Sequence, residues 1–184
     1  MRELEDSSQD YNLLLKWLST PEVCEYYEGK TKPFDYGMVL EKFENRAKGI
    51  DRVTVGIIEA MGVAIGFVQY YINSLGDYWE TDVVDISEYK NSYGLDIVIG
   101  ETDFWGKGFG TRIISQLSGF LFEKGAGIIF IAPQSWNKRA IRCYEKAGFK
   151  PLKIITDMEL HDDEYKDGLL MAKTKDDQPV KSIK

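Results

Sequence analysis

The sequence predicts a mixed sheet in an α/β or α+β domain, on three observations. The first is the order of apolar patterns: helical stretches, a strand pair, then strand–helix–strand–helix–strand. The second is the segment "YGLDIVIGETDFWGKGFGT" (93–111), where a strand-like run passes through a loop with glycines at 106, 108 and 110 into a helical pattern. A strand that turns directly into a helix usually leads to a parallel neighbour. The third is "GIIFIA", a short run with no polar face, as expected of a strand covered on both sides in the middle of a sheet.

The elements follow in chain order. "SSQDYNLLLKWLST" carries Tyr11, Leu14, Leu15 and Leu18 at helical spacing behind Ser/Asp cap candidates. Pro21 closes this helix or opens a short one. "EYYEGKTKPF" reads as a turn-rich link with exposed aromatics, and "YGMVLEKFENRAKG" as a second helix ending at Gly49. "RVTVGIIEAMGVAIGFVQYYI" reads as two strands joined near Met61-Gly62. An acidic loop spans 73–91, and a strand spans 93–99. The helix over 109–124 has Ile113, Leu117, Phe120 and Leu121 on one face. "NKRAIRCYEKAG" is a helix with Asn137 as N-cap and Gly148 as its stop. Strands over 149–155 and 168–173 complete a single domain, 1–173, followed by a C-terminal tail over 174–184.

Composition narrows the function classes. Of 184 residues, 43% are hydrophobic, which suits a packed core. No apolar run reaches the roughly 20 residues that span a bilayer, and the first residues lack a signal-peptide pattern, so a cytoplasmic protein is expected. Cys24 and Cys143 make neither a disulfide framework nor a zinc site, and no metal is expected. His161 is the one histidine, and nothing around it suggests a nucleophile pair. A net charge of −7 argues against nucleic acid and anionic membranes and is compatible with a cationic small molecule.

The glycine loop matches neither familiar phosphate motif. A P-loop needs four residues before Gly-Lys and then Ser or Thr. Gly100 stands one residue too far from Gly106-Lys107, and Gly108 takes the Ser/Thr place. A dinucleotide fingerprint needs a glycine where Thr111 stands. What survives is a helix start whose backbone N–H groups and dipole favour an anion, with Lys107 and Arg112 adding charge. A tight left-handed turn ahead of a helix is the structural alternative.

"GKGFGT" together with "SWNKRAIRCYEKAGF" (135–149) resembles the acetyl-CoA binding pair of the GNAT N-acetyltransferase superfamily. "LLLKWLSTPEVCEYYEG", "IGFVQYY" and the two segments above are similar to the aminoglycoside 6'-N-acetyltransferases, over about residues 13–171. The resemblance implies a GNAT fold, a central mixed sheet splayed between two parallel strands and flanked by helices. It implies an acetyl-CoA cosubstrate held by Ile97, Val98 and Ile99, by the loop Trp105, Gly106, Lys107, Gly108, Phe109, Gly110 and Thr111, and by Asn137. Many superfamily members have Arg or Gln at the position of Trp105, so the pyrophosphate would rest on backbone donors and Lys107.

Acetyl transfer to an amine needs a neutral amine, a polarised thioester carbonyl and a proton for the leaving thiolate. Asp96 is the candidate to take or orient the amine proton. An aspartate at its reference pKa of about 3.9 is a weak base for an amine, which favours orientation. The Val98 N–H is a candidate oxyanion donor. Tyr144, on the face of Ala140, Ile141 and Ala147, is the candidate acid. A core tyrosine and a strand-end carboxylate are the respective structural alternatives.

The acceptor candidates are acids interleaved with aromatics. The loop "NSLGDYWETDVVDISEYKN" (73–91) holds Trp79, Glu80 and Asp82, suited to pair ammonium groups and stack on sugar faces. "ELHDDEYKDG" (159–168) is expected to close the other side, and Tyr26 and Tyr27 match an aromatic pair of the family. One departure is plain: the family's Asp-Pro pair, whose Asp faces the aminoglycoside, is Ala132-Pro133 here. The reading is N-acetylation of a cationic small molecule, foremost the 6'-amine of an aminoglycoside, by a monomer or homodimer. Another small amine or hydroxylamine (a siderophore precursor or polyamine), a non-catalytic acetyl-CoA-binding module, and protein N-terminal acetylation are the alternatives. Siderophore-type members usually carry a histidine near the strand over 93–99, and this chain has none there.

Overall fold

The computed structural model describes residues 1–73, 84, 86–89, 91–176 and 180. Its strands and helices are β1 (Arg2–Glu3), α1 (Ser8–Leu18), α2 (Pro21–Cys24), α3 (Tyr36–Ala47), β2 (Thr54–Ala60), β3 (Val63–Asn73), β4 (Ser92–Ile99), α4 (Phe109–Glu123), β5 (Ile128–Ile131), α5 (Lys138–Lys146), β6 (Lys150–His161) and β7 (Glu164–Thr174). The strand order is β1-β2-β3-β4-β5-β7-β6. β4 and β5 run parallel, which agrees with the mixed sheet expected around the glycine loop. The chain forms two compact units: the first of 1–70, 96–107 and 160–165, the second of 71–95, 108–159 and 166–184.

In the first unit α1 begins as its sequence suggests, with the Ser7 hydroxyl accepting from the Asp10 N–H. Asp10 is buried and receives a two-pronged contact from the Arg2 guanidinium at 2.6 Å on each oxygen, plus the Glu5 N–H at 2.9 Å. These contacts hold β1, a two-residue strand that no pattern in the sequence announces, beside β2. β2 and β3 form the expected hairpin, and Met61 and Gly62 at φ 53 and 77 give the two-residue turn whose twist matches antiparallel strands. Trp17, Phe43 and Phe67 are fully buried, and Phe67 stacks on Trp17 at 6.4 Å and meets Phe43 edge-on at 5.6 Å. Each such ring contributes roughly 1.5–3 kcal/mol by leaving water. The link after α2 departs from expectation: Tyr26 and Tyr27 are half-buried and Phe34 is buried, because Phe34 and Tyr27 serve this core and Tyr26 packs on Trp105.

In the second unit the short apolar run is β5, buried at all four positions. It pairs parallel with β4 over Ser92–Gly94 and antiparallel with β7 over Met171–Thr174. α4 is rotated relative to its predicted face. Ile114, Leu117 and Leu121 are buried, while Phe120 stays 40% exposed with the Lys124 ammonium over its ring. Ser118 made the inner face hard to read, since its hydroxyl is satisfied by the Ile114 carbonyl at 2.7 Å and so is buried without penalty.

β6 and β7 are longer than the apolar runs suggest. Polar residues continue both strands to a two-residue turn at Asp162 and Asp163, with φ 52 and 62. The acidic stretch expected to border the acceptor is therefore the end of a hairpin. Thr174 still pairs with Ile128, so the strand runs one residue into the expected tail. From the acidic 73–91 segment, Val84 and Ile86 are buried with Ile128 and Phe130.

Candidate active site

β4 carries the candidate carboxylate, and its C-terminal half belongs to the first unit. Gly66 of β3 lies against the Val98 carbonyl so closely that an added Cβ would collide with backbone. The strand end is then fixed from two sides. The Ile65 carbonyl accepts from Gly100 N–H at 2.8 Å and Glu101 N–H at 3.1 Å. The Trp105 indole N–H donates to the Ile99 carbonyl at 2.7 Å. Asp96, Ile97 and Ile99 are half-buried and Val98 is buried.

The aromatic pair is brought to this strand end. Tyr26 meets the Trp105 ring edge-on at 5.9 Å, and Tyr27 meets Phe67 edge-on at 5.9 Å. Burial raises the Tyr27 hydroxyl pKa, the Lys42 ammonium pulls it back, and the Asp96 charge pushes it up again. Lys42 was not foreseen. On α3 its ammonium lies 5.0 Å from the Tyr27 ring centre and pairs with Glu28. Gln69 donates to the Tyr27 hydroxyl at 3.5 Å and accepts from Arg46. No local pattern marks either residue, because helix, strand and link meet only in the folded unit.

The glycine turn behaves as a helix cap. Gly106 and Gly108 have φ 71 and 80, and an added Cβ at either would find open space. Gly108 is the N-cap of α4 and supplies no capping side chain. A left-handed N-cap without a side chain leaves the helix start approachable by an anion. Gly106, Lys107 and Gly108 are exposed, and Phe109 and Gly110 are half-buried. The Arg112 guanidinium stacks on the Phe109 ring at 4.7 Å. Thr111 turns its hydroxyl to α5, 3.5 Å from both the carbonyl and the thiol of Cys143.

α5 supplies the remaining candidates. Asn137 is buried, accepts from the Ala140 N–H at 3.0 Å and donates to Gln134 at 3.4 Å, so its side chain is a helix cap. Tyr144 is 7% exposed on the inner face with Ile141 and Ala147, its ring 6.4 Å from that of Phe149. Ala132 follows β5 and is half-buried. Trp79, Glu80 and Asp82 lie outside the described residues. Among the described residues no cluster of three or more His, Cys, Asp or Glu could hold a metal, and no helix is long and apolar enough to cross a membrane.

What fold and turn define is a mixed α/β protein in which a strand passes through a left-handed glycine cap into a helix whose start carries no capping side chain. The family model described as an acetyltransferase (GNAT) domain matches residues 6–157, from the start of α1 into β6. The chain belongs to the GNAT acetyltransferase family. It is 30% identical to the aminoglycoside N(6')-acetyltransferase type 1 of Klebsiella pneumoniae over 82% of this chain and 74% of that protein. The structure of AAC(6')-Ib in complex with ribostamycin and coenzyme A superposes with a TM-score of 0.77 at 27% identity, covering 96% of this chain and 93% of the other. The spermidine N-acetyltransferase from Vibrio cholerae, at 17% identity and a TM-score of 0.70 over 93% of each chain, shares the fold.

Proposed function

We propose that this protein transfers the acetyl group of acetyl-CoA to an amine of a cationic small molecule, foremost the 6'-amine of an aminoglycoside. The observation that carries the reading is the start of α4: an exposed, left-handed Gly108 cap without a side chain, twelve positions beyond Asp96 in a GNAT chain. Relatives whose names include aminoglycosides and coenzyme A support the choice of both substrates.

In this reading the N–H groups at the start of α4, with Lys107, hold the pyrophosphate. The backbone of Ile97, Val98 and Ile99 binds the pantetheine arm, and the Val98 N–H receives the oxyanion as the amine nitrogen attacks the thioester carbon. Asp96 orients the ammonium group and helps it lose a proton. Tyr144 donates its hydroxyl proton to the sulfur when the C–S bond breaks, which leaves an amide and CoA thiol. Tyr26 and Tyr27 offer ring faces to the acceptor, and Trp79, Glu80 and Asp82 its carboxylate and stacking contacts. Trp105 braces the strand end through Ile99, and Asn137 and Thr111 hold α5 and α4, so these three act on the cosubstrate through position.

Ala132 supports a second acceptor class. Without the family's carboxylate at that place, a polyamine or hydroxylamine-bearing amino acid fits as an acceptor that needs one fewer anionic partner. Thiol release from acetyl-CoA, with ribostamycin, spermidine and N6-hydroxylysine side by side and products weighed, tests the reading. Aminoglycoside-dependent release with one acetyl group added per product is expected. Release with the polyamine alone would move the protein to the second class, and no release with any amine would overturn the enzymatic reading.

A further inference from the structure

The carboxylate of Asp162 has an assignment beyond its place in a turn. α2 ends at Cys24, and the chain continues through Tyr26 and Tyr27 before reversing at Glu28 and Gly29, with φ 61 and 91. The next two backbone N–H groups, Lys30 and Thr31, both donate to Asp162 Oδ1, at 2.5 and 2.8 Å. Gly29 is buried against the same residue: an added Cβ would stand 2.7 Å from the carboxylate oxygen and 2.8 Å from the Asp162 nitrogen. Two further contacts close the arrangement. His161, buried at the end of β6, lies 3.7 Å from Asp162 Oδ2, and Lys30 pairs with Glu25 at 2.8 Å. Donation from Thr31 and then Lys30 holds the Asp162 carboxyl below its ordinary pKa, so it is an anion at neutral pH.

We propose that Asp162 is a positioning residue for the acceptor, acting through the Tyr26–Tyr27 segment, an inference that rests on the proposed acetyl transfer. One anion gathers two successive N–H groups immediately after the two tyrosines. It thereby fixes the exit of a segment whose entrance is fixed by α2. Tyr26 then keeps its edge contact with Trp105, and Tyr27 its place between Phe67 and Lys42. The tip of the β6–β7 hairpin thus serves the acceptor site from behind, through backbone rather than by direct contact with substrate. Loosening it weakens acceptor binding and spares the cosubstrate, because none of these contacts involves α4 and the Trp105 indole keeps its own hydrogen bond to the Ile99 carbonyl.

The test is steady-state kinetics on the full chain with ribostamycin and acetyl-CoA, for wild type, Asp162→Ala and Asp162→Asn. Asp162→Ala is expected to raise the acceptor KM about 10-fold, equivalent to about 1.4 kcal/mol, with kcat and the acetyl-CoA KM within about twofold. Asp162→Asn keeps an oxygen that accepts both N–H groups and is expected to restore at least half of the loss on a logarithmic scale. In a Tyr26→Ala background, Asp162→Ala is expected to add less than about twofold, because its effect passes through that segment. An active wild type with unchanged acceptor KM in Asp162→Ala, or parallel loss for both substrates, overturns the inference and leaves the proposed activity standing. An inactive wild type overturns the proposed activity instead. Amide exchange at Lys30 and Thr31 then decides the brace: lost protection in Asp162→Ala supports it, and unchanged protection overturns it.

Discussion

A phenol acts as an acid only where its hydroxyl can reach the departing atom, and Tyr144 differs from the surrounding core by that one group. Tyr144→Phe preserves the buried ring and its contact with Phe149. In the proposed mechanism it lowers kcat by roughly 10–100-fold and leaves the acetyl-CoA KM within about twofold. Equal loss in both, read from the same progress curves, would make the tyrosine structural. Ala132 separates the two acceptor classes. If an aminoglycoside is the acceptor, Ala132→Asp restores a carboxylate facing an ammonium group, and a charge-assisted bond of about 1–3 kcal/mol raises kcat/KM roughly 5- to 100-fold. If a different amine is the acceptor, the same change leaves aminoglycoside turnover near background and weakens the true substrate.

Among the elements, the turn into α4 has the most exposed chemistry. Gly108 needs a left-handed backbone, and its absent side chain keeps the helix start open. Gly108→Val adds a branched side chain there and a strained φ costing roughly 1–2 kcal/mol. Acetyl-CoA affinity, followed by calorimetry on protein whose circular dichroism is unchanged, is expected to fall at least ~10-fold. Affinity equal to wild type would remove the pyrophosphate from this turn. α3 shows the opposite case, an element with a side chain whose partners only the fold supplies. Lys42 sits on a helix that reads as plainly amphipathic, and only packing reveals it between Tyr27 and Glu28. Burial opposes its charge, while Tyr27 and Glu28 more than offset that, and its pKa is raised.

At the scale of the whole molecule, stability follows the carboxylates. Burial raises the pKa of Asp10, but the Arg2 guanidinium and the Glu5 N–H outweigh it, so the folded value is lowered. Glu101, with Lys16 and Trp17, and Asp51, with Val53 and Arg46, are lowered for the same kind of reason. A lowered folded value means that the unfolded chain binds protons first. The stabilisation is therefore complete above the ordinary carboxylate values of about 3.9–4.3 and is lost as pH falls through the folded ones. The urea midpoint is expected to change little between about pH 6 and 8 and to drop steeply below about pH 4. Asp10→Asn is expected to lower it at pH 7 by the equivalent of about 1–3 kcal/mol and to flatten part of the acid slope. A slope identical to wild type would take Asp10 out of the acid transition.

Because they are local, periodicity and turn chemistry determined most elements of this chain, though not β1 or the full length of β6 and β7. Ser7, Asn137 and Gly108 cap helices where the sequence puts them, and Met61-Gly62 turns the hairpin it announces. The family was legible for the same reason: "GKGFGT" and "NKRAIRCYEKAGF" are contiguous motifs. The face of α4 was misread, because a satisfied serine can be buried and a phenylalanine left outside once neighbours choose the side. The acidic stretch over 159–168 reads as one side of the acceptor site, and backbone pairing makes it the end of a hairpin turning at Asp162 and Asp163. Its most structural member, Asp162, holds amides more than 130 positions away in sequence. β1, Lys42, Gln69 and Asp162 were decided only by the tertiary structure, since each acquires its partner from a distant segment, and hydrogen bonds and charge act through space rather than along the chain.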